Sequence, residues 1–383
     1  MTGWTWGAIG LALGSTVLVY AGYPLWLAWR TRGIDGAVPA RWSRRPTVCI
    51  VVAAHDEEAC IAARLHNLQG LRYPPELLTF LVVADGCSDR TEDIVAGFSD
   101  GRVRLVSRRA RQGKVNALNA AVALSEAEII VGTDANCWFE PDCLEYLLAP
   151  FAESEVSCVA GAKRIWSAGG GVGTGEGWYW RYESWLKERD AVIGSALGVT
   201  GEVFAIRRAC WEDLPPDTIL EDFVLAIGQL VAGRRVAYAP QAVAWETPSA
   251  SWTAEFERKT RIVAGAWQAL RSMKPLLWPP RGILTVQLVG HRLLRWMVVP
   301  WCWAIALTSL FLEAILHPDW PVTLLLGLLI GGVLLGIRRP RGLAHALAYF
   351  LLTQAAACAG AIRFWRGRQS VTWRRVPRTP MPS

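Results

Sequence analysis

Residues 4–29, "WTWGAIGLALGSTVLVYAGYPLWLAW", contain no charged side chain. The run exceeds the roughly 20 apolar residues a helix needs to cross the hydrocarbon core. Such a segment has few alternatives, because backbone polar groups in a bilayer are satisfied only within a helix or a closed barrel. A secretory signal would be shorter, preceded by basic residues and closed by a small-residue cleavage site. Here the basic residues follow: Arg30, Arg32, Arg41, Arg44 and Arg45. Residues 1–30 therefore read as a transmembrane helix. By the positive-inside rule its N-terminus lies outside and the next domain in the cytosol.

The chain turns apolar again towards its other end. Segment 274–290, with "PLLWPPRGILTVQLVG", reads as interfacial, anchored by Trp278 and Arg281. A C-terminal cluster, 291–364, holds three apolar stretches, roughly 293–316, 320–337 and 343–362, each about long enough to span. "RRPR" at 338–341 belongs inside, and the tail, 365–383, carries Arg366, Arg368, Arg374, Arg375 and Arg378. Three crossings would leave that tail outside, against the rule. Either one stretch is re-entrant or the tail is an exception. The net charge of +7 comes mostly from arginine and suits the flanks of membrane helices. No stacking module or basic reading helix is visible, so no nucleic-acid partner is expected. The 21 tryptophans suit membrane interfaces and sugar- or lipid-facing surfaces. The nine cysteines include no CxxC pair, so they read as reduced, mostly buried thiols, and no zinc site is expected.

Between these regions, 46–273 reads as soluble. The apolar runs "TVCIVVAA", "LLTFLVVAD", "VRLVS" and "AEIIVGTD" alternate with helix-like segments at 57–69, 90–97 and 113–124. That rhythm implies an α/β domain with a mostly parallel, Rossmann-like sheet. In such sheets ligands bind outside the carboxyl ends of the strands. Asp56, Asp85 and Asp134 all fall at or just after such an end. One acid there caps a helix; three converging on one crevice point to a nucleotide or metal site.

A fourth acidic feature is the pair Glu221-Asp222 in "PPDTILEDFVLAIGQL", set among Ile219, Leu220, Phe223, Val224, Ala226 and Ile227. Carboxylates beside apolar surface are costly unless paired, solvated or used. The pair reads either as a helix N-terminus complementing the macrodipole or as a functional site. Trp178, Trp180 and Trp185, at helical spacing, read either as packing or as a stacking surface for a sugar or lipid.

The order of "CIVVAAHDEEACI", "LVVADGCSDRT", "GKVNALNAA", "VGTDANCWFEPDCL", "VTGEVFAIRR", "ILEDFVLAI" and "RKTRIVAG" resembles that of family-2 glycosyltransferases. The layout resembles their polysaccharide-synthase branch, which makes chitin oligosaccharides, hyaluronan or poly-N-acetylglucosamine, and membrane enzymes that glycosylate lipids. The resemblance covers roughly 46–270 and implies a GT-A nucleotide-sugar domain flanked by transmembrane helices.

It implies roles residue by residue. Asp56 and Glu57 frame the uridine; they also suit the first turn of a helix. Asp85 accepts from the uracil N–H, and Lys114 at a helix start meets the diphosphate. Arg108, Arg109 and Arg111 either assist or form a solvated surface. Asp134 and Asn136 stand at the Asp-x-Asp positions that bind Mg²⁺ or Mn²⁺, a hard cation held by oxygen. Asp222 is the base that deprotonates an acceptor hydroxyl, with Glu221 raising its pKa. Gly201, Glu202 and Ile262 belong to the acceptor side, and Arg258 and Arg261 to the diphosphate side. The chain departs from the family pattern at Ala53, Ala84, Asn136 and Ile262, where the family has Pro, an acid, Asp and Trp. Loss of that Trp favours single transfers over polymerisation.

The reading is a bacterial-type, inner-membrane, inverting glycosyltransferase with a nucleotide-sugar donor, UDP-linked, and a membrane lipid or glycan acceptor. The alternatives are a processive polysaccharide synthase coupled to export and a non-catalytic nucleotide sensor or scaffold.

Overall fold

The computed structural model describes residues 3–34, 44–166, 172–317 and 319–370. Arg41 and the tail arginines Arg374, Arg375 and Arg378 lie outside the described residues.

The four apolar runs form β1 (Val48–Ala54), β2 (Leu78–Asp85), β3 (Val103–Arg108) and β4 (Ile129–Asp134), all mutually parallel. β1 is buried along its whole length and β2 nearly so, which is why they read as continuous apolar runs rather than alternating ones. Beyond them come β5 (Trp138–Phe139), β6 (Val156–Ile165), β7 (Phe204–Arg207) and β8 (Arg235–Glu246). The single sheet has the order β3-β2-β1-β4-β7-β6-β8-β5. β7 runs antiparallel between β4 and β6, and β8 returns parallel to β6. Gly132 in β4 permits this insertion: a Cβ there would lie 2.1 Å from the Phe204 ring.

Helices cover both faces, and each face has its own core. Val51, Leu118, Phe204 and Phe223 belong to one, and Ile50, Leu65, Phe139 and Leu144 to the other. The domain helices are α2 (Ile61–Gln69), α3 (Thr91–Ala96), α4 (Lys114–Leu124), α5 (Cys143–Leu148), α6 (Val172–Ile193), α7 (Glu221–Val231) and α8 (Trp252–Leu277). α2 starts four residues later than its pattern suggested, so Asp56 and Glu57 precede it instead of filling its first turn. The strand-end loop holds them back: the Glu57 N–H donates to Thr91 Oγ1 and the Glu58 N–H to Asp89.

Among the described residues, four helices are long and apolar enough to cross a membrane: α1 (Gly3–Arg30), α9 (Ile283–Leu316), α10 (Trp320–Arg338) and α11 (Gly342–Trp365). The segment expected to be interfacial is divided, because α8 reaches Leu277 and α9 begins at Ile283. α1 and α9 run antiparallel. Thr5 donates to Glu313 at 3.0 Å, the Trp303 indole to Thr16 at 2.8 Å, and Tyr23 lies against Gly290. His291, Arg292 and Arg295 are buried. His291 meets Asp190, Arg292 meets Glu183 at 2.6 Å, and Arg295 meets Glu183 at 3.0 Å. Tyr23 also donates to Asp190. This network fastens the roots of α1 and α9 to α6.

α11 takes a different course. His345 packs on Trp252 near the start of α8, the Tyr349 hydroxyl donates to Glu255 at 2.7 Å, and Trp365 packs on Trp267. Arg363 pairs with Glu257. α11 thus lies along α8, a domain helix, with both ends against the domain.

Candidate active site

The carboxyl ends of β1, β2, β4 and β8, the loop before β7 and the start of α7 surround one crevice. Lys114, the first residue of α4, is held half-buried between two carboxylates, 2.6 Å from Asp134 and 2.9 Å from Glu221. Burial alone would lower its pKa, but the two acids more than offset that and keep it protonated. Gly201 stands over this ammonium, and a Cβ there would lie 2.9 Å from Lys114 Nζ.

Asp222, the second residue of α7, is aimed by the backbone. One oxygen accepts the Phe223 N–H at 2.7 Å and the other the Gly201 N–H at 3.2 Å. Burial and then the neighbouring Glu221 push its pKa up to about 6, against Lys114. Glu221 goes the other way: burial opposes ionisation, but Lys114 and Arg261 hold it low. The pair is therefore split into a fixed anion and a group that titrates near neutrality, as acid–base chemistry requires. Phe223 packs on Trp296 of α9 with ring centroids 5.2 Å apart. The candidate base thus sits beside the root of a membrane helix.

Lys163 in β6 and Glu246 at the end of β8 complete the floor, and the sequence reading missed both. The Lys163 ammonium, fully buried, is in contact with Glu202 and Glu246, and lies 4.7 Å from the Trp180 ring. Glu246 ends its strand as Asp134 does, but "RVAYAPQAVAWE" is broken by Pro240 and did not read as one strand. Lys187 of α6, also missed, is buried within electrostatic reach of Asp222, Glu202 and Glu183, and burial lowers its pKa to about 8. Trp185 packs with Tyr23 and Leu27, whereas Trp178 is exposed, so the tryptophan stripe has no single role.

Several expected contacts are rearranged. Asp85 is buried, and its oxygens accept the N–H groups of Gln112 at 2.9 Å and Gly113 at 2.7 Å. It shapes the loop that starts α4 rather than facing a base. Arg258 pairs with Glu176 at 2.7 Å and Glu255 at 2.9 Å, beside α11 and within electrostatic reach of Glu246. Arg261 donates to the Ile219 carbonyl at 3.1 Å, at the mouth of α7. Ile262 follows it, half-buried. Glu202 is tied to Lys163 rather than open to an acceptor. Asp56, at φ 55°, accepts the Ser88 N–H and flanks the end of β2, with Glu57 beside it.

A divalent cation fits this floor. Ligand atoms of Asp134, Glu246 and Cys137 lie within 4.8 Å of one another. Burial drives the Cys137 thiol far up and keeps it protonated, leaving carboxylate oxygens as the donors, the set a hard cation takes. Asn136, expected as a ligand, donates to Glu246 at 3.3 Å and orients it.

Residues 49–213 match the family model described as glycosyl transferase family 2. The chain carries a family-2 glycosyltransferase domain. The floor of the crevice extends past the matched region to Asp222 and Glu246. The domain is 29% identical over 242 residues to the probable glycosyltransferase YdaM of Bacillus subtilis, covering 57% of this chain and 55% of that protein. It is 29% identical over 214 residues to the beta-monoglucosyldiacylglycerol synthase of Trichormus variabilis, covering 53% and 44%. The chain thus spans about half the length of the curated relatives it matches. A solved mannosyltransferase of Pyrobaculum calidifontis, in complex with GDP-Man and Mn²⁺, shares the fold. Its TM-score is 0.74 at 22% identity, covering 94% of this chain and 99% of that one.

Proposed function

We propose that the family-2 domain transfers a sugar, with inversion, from a nucleotide-sugar to a hydroxyl of a membrane lipid at the cytosolic face. The observation that carries this reading is Asp222, a half-buried carboxylate with its pKa raised to about 6, next to the Phe223–Trp296 contact with a candidate membrane helix. Asp222 takes the proton of the acceptor hydroxyl while that oxygen attacks the anomeric carbon. The bond to the diphosphate breaks on the opposite face, and the nucleoside diphosphate leaves with its electron pair. Lys114 and Arg261 supply positive charge on the leaving side. Mg²⁺ or Mn²⁺, when bound, neutralises the diphosphate; Asp134 and Glu246 would hold it. The kinship with a diacylglycerol glucosylating enzyme favours a lipid acceptor, and UDP-linked sugars are the first donors to test.

The test uses protein purified in detergent with lipids, Mn²⁺ and a panel of UDP- and GDP-sugars. A lipid-extractable labelled product from wild type, absent in Asp222→Asn that still binds nucleotide, is the expected result. A water-soluble polymer would replace the reading with a processive synthase. Nucleotide binding without product from any donor would replace it with a sensor.

A further inference from the structure

His55, Asp56 and Cys87 gather where β1 and β2 end, at the rim of the crevice. Their ligand atoms lie within 4.8 Å of one another. His55 Nδ1 is 2.9 Å from the Asp85 carbonyl oxygen. A carbonyl oxygen only accepts, so Nδ1 carries a proton, and Nε2 is the nitrogen left to offer a lone pair to a cation. Metal-binding histidines are commonly oriented this way, by a backbone carbonyl on the other nitrogen.

Nε2 faces Asp56 Oδ2 at 3.5 Å. Bonds of 2.0–2.2 Å to a tetrahedral cation put neighbouring ligands about 3.4 Å apart, so this pair already has the needed separation. The carboxylate is steadied from behind: Asp56 Oδ1 accepts the Ser88 N–H at 2.7 Å, and the Ser88 hydroxyl lies 3.2 Å from both oxygens. Cys87, half-buried, contributes sulfur from the adjacent residue.

One nitrogen, one oxygen and one sulfur differ in kind from the carboxylate floor at Asp134 and Glu246. Mixed imidazole–thiolate sets select zinc-like cations, and oxygen sets select Mg²⁺ or Mn²⁺. The spacing of the cysteines gave no sign of such a site because its ligands come from two strand ends some thirty residues apart.

We propose that His55, Asp56 and Cys87 bind a zinc-class cation, and that its occupation excludes the donor nucleotide. Three protein ligands leave a fourth position open. On binding, the Cys87 thiol forms a bond to the cation and releases its proton to solvent, so loading strengthens as pH rises. The exclusion follows because the cation claims Asp56 and occupies the rim where the nucleoside would lie. That half rests on the transferase reading above; the metal site does not.

The test uses the full chain in detergent, reduced, with excess Mg²⁺ to fill the oxygen site. Co²⁺ is titrated in as the probe. A thiolate-to-cobalt absorption in the near ultraviolet is expected, quenched by Zn²⁺, lost in Cys87→Ala and kept in Cys137→Ala. No such band, or the same band in Cys87→Ala, overturns the site. UDP affinity is then measured with and without Zn²⁺. Weakening of about tenfold, a common size for coupling between sites, is expected in wild type and absent in Cys87→Ala. Unchanged UDP affinity beside a Cys87-dependent cobalt band overturns the exclusion. Failure to bind any nucleotide without zinc overturns both the exclusion and the transferase reading, while the cobalt band still decides the metal site.

Discussion

A carboxylate in the first turn of a helix is ordinarily made more acidic by the macrodipole. Asp222 goes the other way, and the excess of burial and Glu221 over the helix field separates a used acid from a capping one. Transfer should therefore rise with pH through about 6, as Asp222 ionises, and level off above. Lys114, Glu202 and Lys187 face the same group and move with it only if they titrate in that window. Glu221→Gln removes the like charge, so the acidic limb of the pH–rate profile should move to lower pH. Asp222→Asn should cost about 10²–10⁴ in kcat with little change in nucleotide affinity, read by product formation and calorimetry. Lys163→Met should destabilise the fold by about 3–5 kcal/mol, because Glu202 and Glu246 lose their buried cation; denaturant unfolding checks it. At this scale the sequence was legible where an acid ended an apolar run. Asp134 announced itself in that way. Lys163 did not, since a lysine in "GAKRI" looks solvated until two distant glutamates are folded onto it.

Elements position these groups through close approaches that side chains would block. Gly201→Ala would push Lys114 from between Asp134 and Glu221, yet the ammonium is the far end of a flexible chain. The melting temperature should hardly move, while donor affinity falls. Gly132→Ala is the contrast: its Cβ would enter the Phe204 ring, which is wedged between strands. Overpacking of this kind costs about 1–3 kcal/mol or more, and the melting temperature should fall with it. Strands β1, β2 and β4 were readable because a parallel sheet buried on both faces demands unbroken apolar runs, and the edge strand β3 by its short alternating pattern. The later half was not, since β7 reverses direction and β8 carries Pro240, and both depend on partners far along the chain.

For the whole molecule, the position of α11 bears on the charge puzzle of the tail. α11, long and apolar enough to cross like α1, α9 and α10, lies along α8 with Trp365 on Trp267. We propose that α1, α9 and α10 cross and α11 does not, which puts the domain and "RRPR" on one side, as the positive-inside rule asks. Reporters fused to the two termini should report opposite sides, with the C-terminal one beside the domain. Sequence alone could not say this, because α11 is apolar enough to span and only its packing against a charged helix betrays its course.

The contact of Phe223 with Trp296 holds the base at the foot of a membrane helix, a residue away from Asp222. A lipid would then reach the site by diffusing within the plane of the leaflet. On the proposed lipid reading, turnover becomes a two-dimensional search, governed by the acceptor's mole fraction in the membrane and not by its amount per volume of solution. Diluting the bilayer with inert lipid at constant total acceptor should slow the reaction.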